Sequence, residues 1–328
     1  MTDEIAALDL RLASNPGDIA ALVRKGELLT AEGGDRAAAA FYRRALGLAA
    51  TGALPSSLAG VIERAQAGLA RAQIRFGDHL QSCLQAAGLG PGSRPPRFQE
   101  ALELLEGKRQ TTLQLQRPGA FYYPGLPQRR YYERSEFSWA PELEAQFVLL
   151  LQEFNDLARS GDQFTPYMVS DASRPRADVH GLLDNPEWST LYLHKNGKPV
   201  EEVVVQVPFT YEAIAALDLP RITMRAPSIL YSRLSAGARI PPHNGMINAR
   251  LICHLPLIVP PDCGFRVGGE TRVWKSGELL CFDDSIEHEA WNRSTEDRVI
   301  LIFDIWRPEL NAEERRAVTA VFEAIDSY

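Results

Sequence analysis

Asn248-Ala249-Arg250-Leu251-Ile252-Cys253-His254-Leu255 reads as a β-strand. Successive side chains of an extended chain point to opposite faces. Asn248, Arg250, Ile252 and His254 therefore share one face, and Ala249, Leu251, Cys253 and Leu255 share the other. The second face is apolar throughout and suits a core. The first places an arginine and a histidine among apolar neighbours, where an unpaired charge is costly. An anionic ligand held inside a barrel would be a natural partner for Arg250; a structural salt bridge to an acidic residue elsewhere is the alternative.

Outward from this strand, short apolar segments run from Thr190 to Trp306, separated by Lys195-Asn196-Gly197-Lys198, Ser235-Ala236-Gly237, Gly268-Gly269 and Lys275-Ser276-Gly277. Short strands at regular spacing with turn residues between them indicate a β-sandwich or jelly-roll barrel. Helices are expected at Pro141–Ala158, near Phe98–Glu106 and at Asn311–Asp326, and Phe121-Tyr122-Tyr123-Pro124-Gly125-Leu126-Pro127 has β-type alternation.

Residues 1 to about 105 differ in character: they are rich in Ala, Leu and Arg and read as helices. Small residues at Gly26 and Ala38 allow two antiparallel helices to approach closely, with Gly33-Gly34-Asp35 as the turn. This resembles a tetratricopeptide repeat, a helix–turn–helix unit of about 34 residues. Ser57 to Ala87 could supply a second helical pair, although it departs from the pattern. One repeat cannot bury its own faces and must stack on something else. A plain helical bundle is the alternative. The expected architecture is thus α+β and multidomain. A helical repeat domain (residues 1–105) precedes a double-stranded β-helix, the cupin-like jelly roll, with flanking helices (residues 106–328).

The 328 residues include 35 Lys and Arg against 42 Asp and Glu, a net charge of −7, which disfavours a nucleic-acid binder. A hydrophobic fraction of 45% and a charged fraction of 23% are those of a core-forming chain and exclude disorder throughout. No apolar run approaches the roughly 20 residues that span a bilayer, and Met1-Thr2-Asp3-Glu4 lacks a secretory leader's basic start, so the chain is expected to be cytoplasmic without a membrane span. Cys83, Cys253, Cys263 and Cys281 form no CxxC pair and are expected to be free thiols.

His243 and His288, on separate strands of a jelly roll, could converge on a metal, since neutral imidazole suits Fe, Zn, Cu and Ni. Arg298, ten residues after His288, could form a bidentate pair with a carboxylate. That layout is the sequence logic of Fe(II)/2-oxoglutarate oxygenases. His79, His180 and His194 belong to no motif.

The series His243…Arg250…His254…Asp283-Asp284-Ser285…Glu287-His288-Glu289…Arg298 resembles the catalytic domain of the aspartyl/asparaginyl β-hydroxylase family. The Phe121–Leu126 segment and Trp188-Ser189 add to it, and the likeness covers roughly residues 115–310. The resemblance implies His243 and His288 as iron ligands, Arg298 and Ser232 on the distal carboxylate of 2-oxoglutarate, His254 on the cosubstrate, and Trp188 lining the same pocket. Gly245 stands where most such oxygenases carry a carboxylate ligand, and the family's two-histidine pattern accounts for it. Ile252 departs from members that have Arg there, so Arg250 is expected either to compensate or to bind the substrate's acid group. Asp284 or Glu289 could orient the ligand histidines. The implied reaction is hydroxylation of the β-carbon of an Asp or Asn residue with O2 and 2-oxoglutarate. The substrate would be a peptide, a protein or a carrier-bound amino acid. The other readings are a lipid acyl-chain hydroxylase of the same family, a non-catalytic repeat protein whose jelly roll only binds a ligand, and a metal-binding cupin with isomerase or storage function.

Overall fold

A computed structural model describes residues 2–51, 55–109, 115–170 and 181–328; His180 lies outside them. The chain forms two compact units. The first comprises residues up to Gly88 together with Ser327–Tyr328, and the second comprises Leu89–Met168 and the stretch that ends at Asp326.

Four helices build the first unit: α1 Thr2–Ser14, α2 Ile19–Ala31, α3 Asp35–Ala50 and α4 Ala59–Ala86. Asp18 caps α2, its carboxylate accepting from the Ala21 N–H at 3.0 Å. Gly33 makes the α2–α3 turn with φ of 81°, a conformation that costs glycine nothing. The close approach expected at Gly26 is present, and its wedge is Tyr42. A Cβ on Gly26 would lie 2.7 Å from the Tyr42 ring on one side, and a Cβ on Gly68 of α4 would lie 2.6 Å from it on the other. The expected second helical pair is absent, because Ser57–Ala87 is dominated by the single 28-residue helix α4. No glycine or proline turn interrupts its apolar stripe.

The second unit opens with α5 Pro96–Leu105, which belongs here rather than with the first four helices; Arg97 on it pairs with Glu314 near the C-terminus. The remaining helices are α6 Ala140–Ala145, α7 Phe147–Arg159, α8 Glu201–Val204, α9 Pro208–Ala215 and α10 Ala312–Asp326. The helix expected at Pro141–Ala158 is thus broken in two at Gln146. The Phe121–Pro127 segment forms no strand; it makes an isolated bridge from Phe121 to Ile247 and buries Phe121 and Tyr123.

The strands are β1 Tyr131–Tyr132, β2 Thr165–Pro166, β3 Trp188–Lys195, β4 Lys198–Pro199, β5 Ile229–Leu234, β6 Arg239–His243, β7 Arg250–Ile258, β8 Cys263–Val267, β9 Glu270–Arg272, β10 Leu280–Phe282, β11 His288–Asn292 and β12 Arg298–Trp306. They form two antiparallel sheets. The large one has the order β1-β10-β7-β12-β5-β3-β2, and the small one β6-β11-β8-β9. From β5 onward successive strands are dealt between the two sheets so that sequence neighbours are seldom sheet neighbours. This is the double-stranded β-helix.

The alternation read from the sequence sets the layers. Leu251, Cys253, Leu255 and Leu257 of β7 face outward with Leu301 and Phe303 of β12, packed under Leu150, Phe154 and Leu157 of α7. Ile252, Ile300 and Ile302 face inward against Ile240, Phe265 and Ala290 of the small sheet. β12 is covered on both faces, by the helical layer over Val299, Leu301 and Phe303 and by the small sheet over Ile300 and Ile302, which explains its unbroken apolar run Val299–Phe303. Among the described residues, no helix is long and apolar enough to cross a membrane.

The doubly enclosed Tyr42 ring gives a test of the first unit. Helical Gly→Ala usually stabilises a protein, but Gly68→Ala forces a methyl into a ring that has no room to retreat. We expect a loss of about 1–3 kcal/mol in urea denaturation; a gain in stability would contradict this packing.

Candidate active site

The inner faces of the two sheets enclose a cavity of about 60 Å³. His243 ends β6 and His288 begins β11, and the two are directly paired across these antiparallel strands. Their ring centroids are 4.1 Å apart. Pro241 and Pro242 are tolerated in β6 because it is an edge strand and its pairing with β11 is irregular between Ile240 and His243. Each imidazole is oriented by a backbone carbonyl two residues back: His243 Nδ1 lies 2.8 Å from the Pro241 oxygen and His288 Nδ1 lies 2.9 Å from the Ile286 oxygen. A neutral ring donating from Nδ1 carries its lone pair on Nε2, the form that ligates metal. Burial, with the nearby His243, pushes the His288 imidazole down to about 3, so it is neutral at physiological pH.

Four more sequence-derived site residues share the cavity: Trp188, Ser232, His254 and Arg298. Trp188 on β3 donates from its indole N–H to Ser232 Oγ on β5 at 3.2 Å. Tyr167 stacks on the outer side of Trp188, with centroids 4.0 Å apart. Arg298, the first residue of β12, is 1% exposed. Its Nε and Nη2 have no hydrogen-bond partner among the described residues, and burial lowers its pKa to about 10. It therefore remains a cation at neutral pH. Burial also pushes His254 well below the usual histidine range, so its ring is neutral.

The structure supplies a wall that sequence reasoning missed: Ile240, Phe265, Trp274, Phe282, Ala290 and Ile302 also line the cavity. Inward alternation on identified strands could have nominated most of them. Trp274 lies between β9 and β10, outside any strand, so no periodicity marks it.

Arg250 does not line this cavity. It was expected to meet a substrate's acid group, but it is held by Asp304 at 3.0 Å and Asp284 at 3.4 Å. Two carboxylates already outnumber its one charge, which realises the salt-bridge alternative. Burial raises the Asp284 carboxyl to about 6. Asp284 and Glu289 were also expected to orient the histidines, but backbone carbonyls do that. Glu289 pairs instead with Arg239 and Arg266. Ile252 joins the apolar layer between the sheets. Gly245 has a steric reason: a Cβ there would run into the Asp284 carboxylate. Among the described residues, no group of three His, Cys, Asp or Glu side chains gathers as a metal cluster.

The loop leading to His288 is pinned by Asp283, which is fully buried. Asp283 accepts from Gln116 Nε2 at 2.6 Å, Arg307 Nη1 at 2.8 Å and the Ser285 N–H at 3.0 Å. Asn248, at the foot of β7, is tied to Tyr123 through its N–H at 2.6 Å and its carbonyl at 2.9 Å.

Residues 144–308 match the family model described as aspartyl/asparaginyl beta-hydroxylase. The chain is 34% identical over 212 residues to human aspartate beta-hydroxylase domain-containing protein 2, covering 63% of this chain and 55% of that one. It is 36% identical over 142 residues to human aspartyl/asparaginyl beta-hydroxylase, covering 43% and 18%. The chain thus spans about half the length, or less, of these curated relatives. Among solved structures, a predicted oxalate decarboxylase from Thermotoga maritima matches with a TM-score of 0.24 and 13% identity, covering 37% of this chain and 81% of that one. So low a score carries no argument, and the jelly-roll assignment rests on the strand order above. Fold and site define a double-stranded β-helix protein with paired imidazoles and a buried cation facing one cavity. The chain belongs to the aspartyl/asparaginyl β-hydroxylase family, a family of hydroxylases.

Asp283→Ala removes the shorter of two carboxylate contacts from the fully buried Arg307 guanidinium and leaves it the longer one, Glu309 at 3.4 Å. We expect a loss of about 3–5 kcal/mol in chemical denaturation. A change below about 1 kcal/mol would show that the pair does not anchor the loop.

Proposed function

We propose that this protein is an Fe(II)- and 2-oxoglutarate-dependent dioxygenase that hydroxylates the β-carbon of an Asp or Asn residue in a peptide, protein or carrier-bound substrate. The observation that carries this reading is the Arg298 guanidinium, buried without a carboxylate among the described residues in the cavity that holds His243 and His288. A buried cation of this kind needs an anion to complete it, and the distal carboxylate of a 2-oxo dicarboxylic acid satisfies that need. The donor set fits the metal: two imidazoles, each with Nδ1 engaged by a carbonyl, direct Nε2 as a nitrogen ligand suited to Fe(II).

Bound iron would supply the oxidative chemistry, in which O2, 2-oxoglutarate and a C–H bond become succinate, CO2 and a C–OH group. The residues of this chain bind and orient. Arg298 would pair with the distal carboxylate, and the Ser232 hydroxyl would donate to it. The neutral His254 ring would donate to the cosubstrate from Nε2. Trp188 and the apolar wall would exclude water. The Asp/Asn preference is taken from the relatives' names. The helical first unit would bind the chain flanking the target residue, as repeat-type helices do.

Fe(II)-loaded protein, titrated anaerobically with 2-oxoglutarate in a calorimeter and then given O2, should bind the acid and release succinate. Arg298→Ala should weaken 2-oxoglutarate binding by about 2–5 kcal/mol; unchanged affinity would move the cosubstrate elsewhere. His243→Ala and His288→Ala should each abolish turnover. Full activity in either would refute the two-histidine site. Candidate Asp- or Asn-containing peptides should gain one oxygen atom by mass spectrometry.

A further inference from the structure

The apolar wall contains one residue whose polar and π contacts reach both groups that would face the cosubstrate. Trp274 donates its indole N–H to His254 Nδ1 at 3.2 Å. Its ring also lies 5.0 Å from the Arg298 guanidinium carbon. The ring is itself fixed by stacking on Phe265, with centroids 5.2 Å apart and planes 23° from parallel. Trp274 is 3% exposed.

We propose that Trp274 is a positioning residue that holds His254 and Arg298 ready for a dicarboxylate without neutralising either, and so sets the affinity of this site for its cosubstrate. This inference rests on the functional reading above. The two contacts act differently. An indole N–H can only donate, so His254 Nδ1 must accept, and the proton of the neutral ring is confined to Nε2. His254 is thereby kept as a hydrogen-bond donor to an anion. The second contact concerns charge. A desolvated cation over an indole face is attracted by the ring's quadrupole. A carboxylate in the same place would stabilise Arg298 more strongly, but it would compete with the incoming acid and have to be displaced. The aromatic face steadies the guanidinium and leaves its N–H groups unclaimed, which matches the partnerless Nε and Nη2.

Trp274→Phe separates these contacts, because it keeps an aromatic face and removes the donor; Trp274→Leu removes both. Anaerobic calorimetry with 2-oxoglutarate on the Fe(II)-loaded full chain should show a loss of about tenfold for Trp274→Leu, with Trp274→Phe between it and the unsubstituted protein. In metal-free protein, nitrogen-15 spectra should show His254 unprotonated at Nδ1, and Trp274→Phe should turn this single tautomer into a mixture. A packing role alone would leave the tautomer unmoved. The unsubstituted protein gives a check that needs no variant: the Trp274 indole N–H resonance should shift when 2-oxoglutarate is added. If that resonance stays still while 2-oxoglutarate binds, or if both variants keep full affinity and the single tautomer, the role of Trp274 is overturned and the functional reading stands. If the unsubstituted protein binds no 2-oxoglutarate, both fall together.

Discussion

Burying the Arg298 guanidinium between two sheets, with no carboxylate of the described residues beside it, carries a penalty of several kcal/mol, and its surroundings are arranged to bear that penalty while keeping the charge. β12 places the residue at its first position, opposite Leu234 of β5. Nearby acidic side chains are engaged elsewhere: Asp283 by Arg307, Asp284 and Asp304 by Arg250, and Glu289 by Arg239 and Arg266. Among the described residues, the cavity is left with the Arg298 guanidinium, three imidazoles and apolar walls.

The geometry of the two metal-type histidines follows from sheet construction. A double-stranded β-helix makes β6 and β11 neighbours in the small sheet although 44 residues lie between His243 and His288 in sequence. Register then brings the two rings opposite each other, and local turns supply the carbonyls that orient them. The second ring emerges from a loop held by Asp283 and Arg307, so the placement of this imidazole and fold stability share a component.

Much of this was legible in the sequence for a simple reason: the period of two is a local property. The faces of β7 and the layers they enter could be read from eight residues. Tertiary partners were less accessible. Arg250 lies on the predicted strand, but only the folded chain reveals that Asp284 and Asp304 flank it. Trp274 sits in a turn, where no periodicity operates. The break at Gln146 carries no proline or glycine, and it separates α6 from the amphipathic α7. In the first unit, Gly26 was recognised as a close-approach position, but its partner Gly68 belongs to a helix that departs from the repeat pattern.

The collision between Gly245 and Asp284 bears on how such a site can change over time. A chain with two histidines and a glycine looks one codon change away from a site with an added carboxylate ligand. Here that route is obstructed, because the volume a new side chain would enter already holds Asp284, and Asp284 in turn helps to balance Arg250. The three positions form an epistatic set: residue 245 can enlarge only after 284 has shrunk, and 284 can shrink only if Arg250 finds its compensation in Asp304 alone. Side-chain volume at residue 284 is therefore a constraint on what residue 245 can become, independent of any chemistry at the site.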